Sequence, residues 1–239
     1  MLSLICSYNN RELLEDTLLK SLKEQSYTNY EIILIDSKAK GFLSASSALN
    51  YGAEKAKGNY LIFIHQDVYF TDKDILSKID YFCAHNEFGI MGVAGVSLEN
   101  NNRQFYSNVV HGSEKKPSGA KFESVKETVS LDECLLVIPA RVFNDYKFTD
   151  FGNTWHLYGT DYCLKMKQNS LKAYIAPLNL WHLSSGASLN ECYFDTIKKL
   201  CRTYNENEII YTAFGTWPTK MIYLTLKCAW RKFRLKFIE

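Results

Sequence analysis

The chain has 239 residues, 46% hydrophobic and 23% charged, which is enough apolar material to bury a core and excludes intrinsic disorder. A formal charge of +2, from 28 Lys and Arg against 26 Asp and Glu, is too small for a surface built around nucleic acid. Seven cysteines with no Cys-x-x-Cys pair indicate neither a disulfide framework nor a zinc ribbon and suit a reducing cytosol.

The opening MLSLICSYNN has no basic region, and no apolar run approaches the ~18 residues of a membrane span, so a soluble or peripheral chain is expected. Residues 2–6 read as a buried strand that breaks at the polar cluster Ser7-Tyr8-Asn9-Asn10. A helix is expected over 11–25, where Leu14, Leu18 and Leu22 recur at helical spacing. A second strand follows over 31–36. An Ala-rich helix spans 44–57 and is closed by Gly58, and a third strand over 60–64 ends at His65-Gln66-Asp67. Strand, helix, strand, helix, strand in this order predicts an α/β fold with a mostly parallel sheet. Ligands of such sheets bind at the carboxyl ends of the strands, which here are all polar.

Further along, a helix over 72–86, a strand over 89–96 and a long polar excursion over 99–127 are expected. A strand over 129–138, a short helix over 160–168, a short strand over 173–176, a polar loop over 179–188 and a helix over 195–204 complete the body.

Side chains two apart on a strand share a face, so His65 and Asp67 can address one divalent cation, Mg²⁺ or Mn²⁺, with the imidazole favouring Mn²⁺. The same residues also fit a solvated histidine and an aspartate that caps the helix after Thr71. His182 is a candidate further ligand, and Ser184, Ser185 and Gly186 offer donors to phosphate. Trp155, His156 and Tyr158 form an aromatic cluster suited to holding a sugar, or simply to anchoring a loop. Asp161 falls in the first turn of a helix, where capping and general-base roles both remain open. The chain has no Gly-x-Gly-x-x-Gly after its first strand, no P-loop and no Gly-x-Ser-x-Gly elbow.

The ordered pieces L-I-C-S-Y-N-N, E-I-I-L-I-D-S and A-L-N-Y-G-A-E-K-A-K-G-N-Y-L-I-F-I-H-Q-D resemble the nucleotide-sugar-binding half of family 2 glycosyltransferases of the GT-A fold. His65-Gln66-Asp67 stands where that family has Asp-x-Asp. Asp132-Glu133-Cys134 is similar to its acceptor-side strand, and Tyr158-Gly159-Thr160-Asp161 to the segment holding its catalytic base. The resemblance implies a GT-A domain over 1–215, divided into a donor half (1–98) and an acceptor half (99–215), with a C-terminal extension over 216–239. It implies donor-binding roles for Cys6, Ser7, Tyr8, Asp36, Asn50 and Gln66, a Mn²⁺ or Mg²⁺ site at His65, Asp67 and His182, acceptor contacts at Trp155, His156 and Tyr158, and Asp161 as base. The implied reaction is inverting transfer from a nucleoside-diphosphate sugar, UDP favoured, to a glycan or lipid-linked acceptor in surface polysaccharide assembly. Asp36-Ser37 departs from the family's Asp-Asp and leaves the base open, and Thr160 replaces the family's Glu. Rival expectations are a nucleotidyltransferase, a metal-dependent phosphohydrolase or a non-catalytic nucleotide-sugar-binding module at a membrane.

Residues 220–239 carry six basic side chains and one acid, leaving a slightly acidic body of 22 basic and 25 acidic residues. Aromatic and aliphatic residues alternate with the basic ones over 220–238, a pattern suited to an anionic membrane surface at the inner face of the cell membrane, or to a terminal helix docked on the domain.

Overall fold

A computed structural model describes residues 1–184 and 190–235. Its centre is a seven-stranded sheet containing strands β1 (Leu2–Tyr8), β2 (Tyr30–Asp36) and β3 (Tyr60–Ile64) in the order β3-β1-β2 at one side. Beyond β3 come Leu135–Pro139, Ile90–Gly92, Ala173–Ile175 and Lys126–Glu127. Leu135–Pro139 and Lys126–Glu127 run against the other five, so the sheet is mixed but mostly parallel in direction.

The central strands are apolar on both faces because both faces are covered. On β1, Leu2, Leu4 and Cys6 enter one core cluster with Leu14 and Leu18, while Ile5 enters the cluster on the opposite face with Ala48 and Leu49. On β3, Ile62 and Ile64 point to the first cluster and Leu61 and Phe63 to the second. The helix Ala45–Ala53 lies close against the sheet because Gly52 has no side chain. A Cβ there would come within 2.7 Å of both Ile35 and Ile5.

The expected elements through β3 are present. Asn10 caps the first helix by accepting the Leu13 N–H, and Ser44 caps the next by accepting the Ser47 N–H. The first helix is not uniform: Arg11–Leu14 passes through a π-segment, Glu15–Leu19, into Lys20–Leu22. Thr17, in that segment, places its hydroxyl 2.6 Å from the carbonyl oxygen of Gln66 and so braces the turn after β3.

Two regions read as loops are strands. The 99–127 excursion contains Asn102–Ser107, Val109–His111 and Lys116–Pro117, and the 179–188 loop contains Leu180–His182. These segments are two to six residues long, too short for a clear alternation of apolar and polar positions, and they are stabilised by partners distant in sequence. The order Val68–Phe70, Leu180–His182, Val109–His111, Lys116–Pro117 makes a second sheet beside the first.

A third apolar cluster unites the helix Glu191–Thr203, the hairpin Ile209–Thr212/Gly215–Pro218 and the inner face of the helix Met221–Leu235. Trp217 is fully buried in it and donates its indole N–H to Thr212 Oγ1 at 3.0 Å. Trp217→Ala is expected to cost about 3–5 kcal/mol, read as a fall in the urea midpoint with an unchanged slope. The C-terminal segment therefore docks on the body by one face. Residues 236–239 lie outside the described residues.

Candidate functional site

The carboxyl ends of β1 and β3 and the second sheet enclose a cavity of about 240 Å³. It is closed by the segment before the helix Tyr158–Gln168. Backbone pairing explains why three separated residues meet there. Asp67 precedes Val68–Phe70, which pairs antiparallel with Leu180–His182 so that His182 faces Val68, and Leu183 donates its N–H to the Asp67 carbonyl at 2.9 Å. His182 Nε2 then lies 3.3 Å from Asp67 Oδ1, and candidate ligand atoms of His65, Asp67 and His182 all fall within 4.8 Å of one another.

The parallel register of Leu180–His182 with Val109–His111 adds a fourth member. His111 lies opposite His182, with the two Nδ1 atoms 3.3 Å apart. If His182 offers Nε2 to a cation, its Nδ1 is left to bond His111, the kind of outer contact that fixes a ligand's tautomer. His111 was hidden because its strand sits inside the stretch read as a loop.

Burial and neighbouring charges shift these groups in different directions, with His65 and His111 moved toward the neutral ring and His182 toward the protonated one. Burial, reinforced by His182, pushes His65 down to about 4, so its ring is neutral and available as a ligand. Burial opposes ionisation of Asp67, but the His182 contact outweighs it and holds the carboxyl at about 2. Burial likewise lowers His182, and the hydrogen bond and charge of Asp67 reverse the shift to a net rise. His111 is lowered, by burial first and then by His182. Two imidazoles and one carboxylate suit Mn²⁺ better than Mg²⁺, which prefers an all-oxygen set.

Ser7, Tyr8, Gln66, Trp155, His156 and Tyr158 line the cavity. Ser7 Oγ is buried with no hydrogen-bond partner among the described residues, a polar atom left over on the wall. Gln66 Oε1 accepts the N–H groups of Asn9 and Asn10, tying the β1 and β3 ends together. Leu157, left-handed at φ 70°, reverses the chain between His156 and Tyr158. Such strain in a residue with a side chain concentrates where a site needs a particular shape. Ser184 also lines the cavity, whereas Ser185 and Gly186 lie outside the described residues.

Four other candidates do not line it. Cys6 is buried in the core, its thiol pushed up by burial and by Asp67. Asn50 uses both ends of its amide on Phe148, and Asp36 accepts the Ala39 N–H at the β2 end, where Ser37 faces the cavity instead. Asp161 is 0% exposed. Tyr204 donates to its Oδ1 at 2.7 Å and Lys165 lies 3.7 Å from Oδ2, so its carboxylate is committed to the interior.

The acids that do reach the cavity are Asp132 and Glu133. Glu133 Oε1 accepts the Gly159 N–H at 3.3 Å, at the start of the helix Tyr158–Gln168. The glycine allows this approach, because a Cβ at 159 would stand 3.2 Å from Glu133 Cγ and from the Leu131 carbonyl. Burial first, and the neighbouring Asp132 second, raise the Glu133 carboxyl to about 8. The sequence placed this pair at a strand entry but held no sign of which way the side chains turn.

The fold thus sets a His/Asp/His group and two acids, Asp132 and Glu133, around one cavity at the carboxyl ends of a mostly parallel sheet. A family model described as "Glycosyltransferase like family" matches residues 3–210, and the chain belongs to that family. Its fold is the GT-A fold. The chain is similar to Staphylococcus aureus TarS 1-349, solved with UDP-GlcNAc (TM-score 0.59, 13% identity, 84% of this chain and 65% of that one). It is similar to GalNAc-T7 with UDP, GalNAc and Mn²⁺ (0.62, 12%, 86% and 49%). A third similar structure is the mannosyltransferase PcManGT from Pyrobaculum calidifontis with GDP-Man and Mn²⁺ (0.54, 14%, 84% and 61%). The chain thus spans about half to two thirds of those solved chains. A protein of Fuscovulum blasticum called "ATP synthase subunits region ORF 6" is 27% identical over 187 residues, 74% of each chain.

Proposed function

We propose that the protein transfers a sugar, with inversion, from a nucleoside-diphosphate donor to a hydroxyl of a glycan or lipid-linked acceptor in surface polysaccharide or lipopolysaccharide assembly. The reaction depends on a divalent cation, Mn²⁺ in preference to Mg²⁺. The observation that carries this reading is the His65–Asp67–His182 group at the strand ends, opening on the same cavity as Glu133. Support comes from the family, and from the UDP or GDP sugars and Mn²⁺ bound by the similar structures.

In this reading Asp67, His65 and His182 hold the cation, which when bound neutralises charge on the leaving diphosphate. Tyr8 and Ser7 lie along the donor base and ribose, with Gln66 fixing their turn to the metal turn. Trp155 and His156 face the acceptor sugar, and the buried Tyr158, its hydroxyl donated to the Glu133 carbonyl, supports the wall beneath it. Glu133, and not Asp161, takes the proton of the acceptor hydroxyl. That oxygen attacks the anomeric carbon from the face opposite the diphosphate, and the carbon–oxygen bond to the diphosphate breaks.

The test is a thermal-shift series with UDP, GDP and CDP, each with and without Mn²⁺. One nucleotide is expected to raise the melting temperature only when Mn²⁺ is present, by the mass-action stabilisation of a ligand that binds the folded state. No shift with any nucleotide defeats the reading. Release of free phosphate from the nucleotide without any acceptor points to a hydrolase instead.

A further inference from the structure

The helix Met221–Leu235 has two unlike faces. Leu224 and Cys228 are buried in the third core cluster, while Ile222, Tyr223, Leu226, Trp230 and Phe233 are each 52–69% exposed. At about 3.6 residues per turn, positions 222, 226, 230 and 233 form one stripe with 223 along its edge, opposite 224 and 228. Single exposed apolar residues are ordinary, but a contiguous aromatic and aliphatic stripe on a docked helix marks an interaction surface.

Charge identifies the partner. Residues 220–235 contain Lys220, Lys227, Arg231, Lys232 and Arg234 and no acid. Lys227 bonds Thr216 Oγ1, Arg231 the Phe214 carbonyl and Lys232 the Glu191 carboxylate, so all three anchor the helix; Lys227 and Arg231, on neutral partners, keep their positive charge, whereas that of Lys232 is offset by Glu191. Arg234 lies 4.9 Å over the Trp230 ring, at the border of the stripe. A second copy packed stripe to stripe would set like charges against each other. An anionic bilayer offers acyl chains to the stripe and negative headgroups to its flanks. Among the described residues no helix is long and apolar enough to cross a membrane.

We propose that the exposed face of Met221–Leu235 lies in the interface of an anionic lipid bilayer. Phe214, whose carbonyl Arg231 holds at 3.1 Å, lines the cavity, so the membrane-bound helix is joined directly to the cavity wall. That geometry suits an acceptor presented from the bilayer; this last link rests on the transfer reading, whereas the lipid contact does not.

The test is sedimentation of the full chain with vesicles of phosphatidylcholine alone or mixed with phosphatidylglycerol, beside the double variant Leu226→Glu/Trp230→Glu. Both residues are exposed, and an unchanged melting temperature checks that the variant folds. The wild type is expected to bind the anionic vesicles and not the neutral ones. Binding should weaken as salt rises, and the variant should bind at least about tenfold more weakly. Wild type left in the supernatant with anionic vesicles, or equal binding by the variant, overturns the proposal. So does a dimer on gel filtration that the variant dissolves while vesicle binding is absent, which assigns the stripe to a second copy. Vesicle binding that persists when no nucleotide shifts the melting temperature defeats the transfer reading alone.

Discussion

Glu133→Gln is expected to lower the transfer rate constant by about 10²–10⁴-fold, the range a positioned general base contributes, with donor binding unchanged. Asp161→Asn is expected to keep catalysis and lose stability. The asparagine retains an oxygen for the Tyr204 hydroxyl but discards the charge facing Lys165, at a cost of about 1–3 kcal/mol. The pair separates two assignments, since geometry puts Glu133 on the cavity wall and Asp161 behind it. Abolished transfer in Asp161→Asn beside an active Glu133→Gln would return the base to Asp161.

The pH dependence has a definite sign. Burial and Asp132 raise the Glu133 carboxyl from an ordinary 4.5 to about 8, so folding favours its protonated form. Its contribution to stability is full below about 4.5 and is lost as pH rises through about 8. Glu133→Gln removes that loss, and its melting temperature is expected to exceed that of the wild type at alkaline pH by more than at pH 4. Activity runs the other way, because a base must be deprotonated. The wild-type rate should climb with pH toward the Glu133 value, and a bound cation nearby would move that limb to lower pH.

The first three strands were legible because each is an apolar run broken by polar residues, and their order specifies a parallel sheet with its ligands at the carboxyl ends. That is why Ser7, Tyr8, Gln66 and Asp67 reach the cavity. Period and spacing do not tell whether a residue on a buried strand turns toward a site or into the core. Cys6 turns inward one position before Ser7, and Asn50 is used to hold Phe148. His111 needed knowledge of a pairing between Val109–His111 and Leu180–His182, which are 71 positions apart at their histidines. Glu133 needed the start of the Tyr158–Gln168 helix to be folded over it. In both, the decisive contact is tertiary and leaves no local pattern.

Asp67→Ala is expected to remove Mn²⁺-dependent donor binding, weakening Mn²⁺ by more than the ~10–100-fold lost when an outer contact of a metal ligand is removed. Asp67 supplies the only carboxylate of the His65–Asp67–His182 group, and without it two imidazoles would face the cation with no compensating charge. His111→Ala falls in the outer class. It leaves all three ligands and takes away the nitrogen 3.3 Å from His182 Nδ1, so Mn²⁺ affinity should fall by about 10–100-fold while metal-free nucleotide binding stays the same. Calorimetric titration with Mn²⁺ alone, then with nucleotide at saturating Mn²⁺, reads both variants without an acceptor. Equal Mn²⁺ affinity in Asp67→Ala and the wild type would mean that Asp67 serves only to hold His182 and the turn after β3, and that the cation is held by Asp132 and Glu133 across the cavity. A graded loss, complete at position 67 and partial at 111, is what a ligand and the residue that orients its neighbour should give.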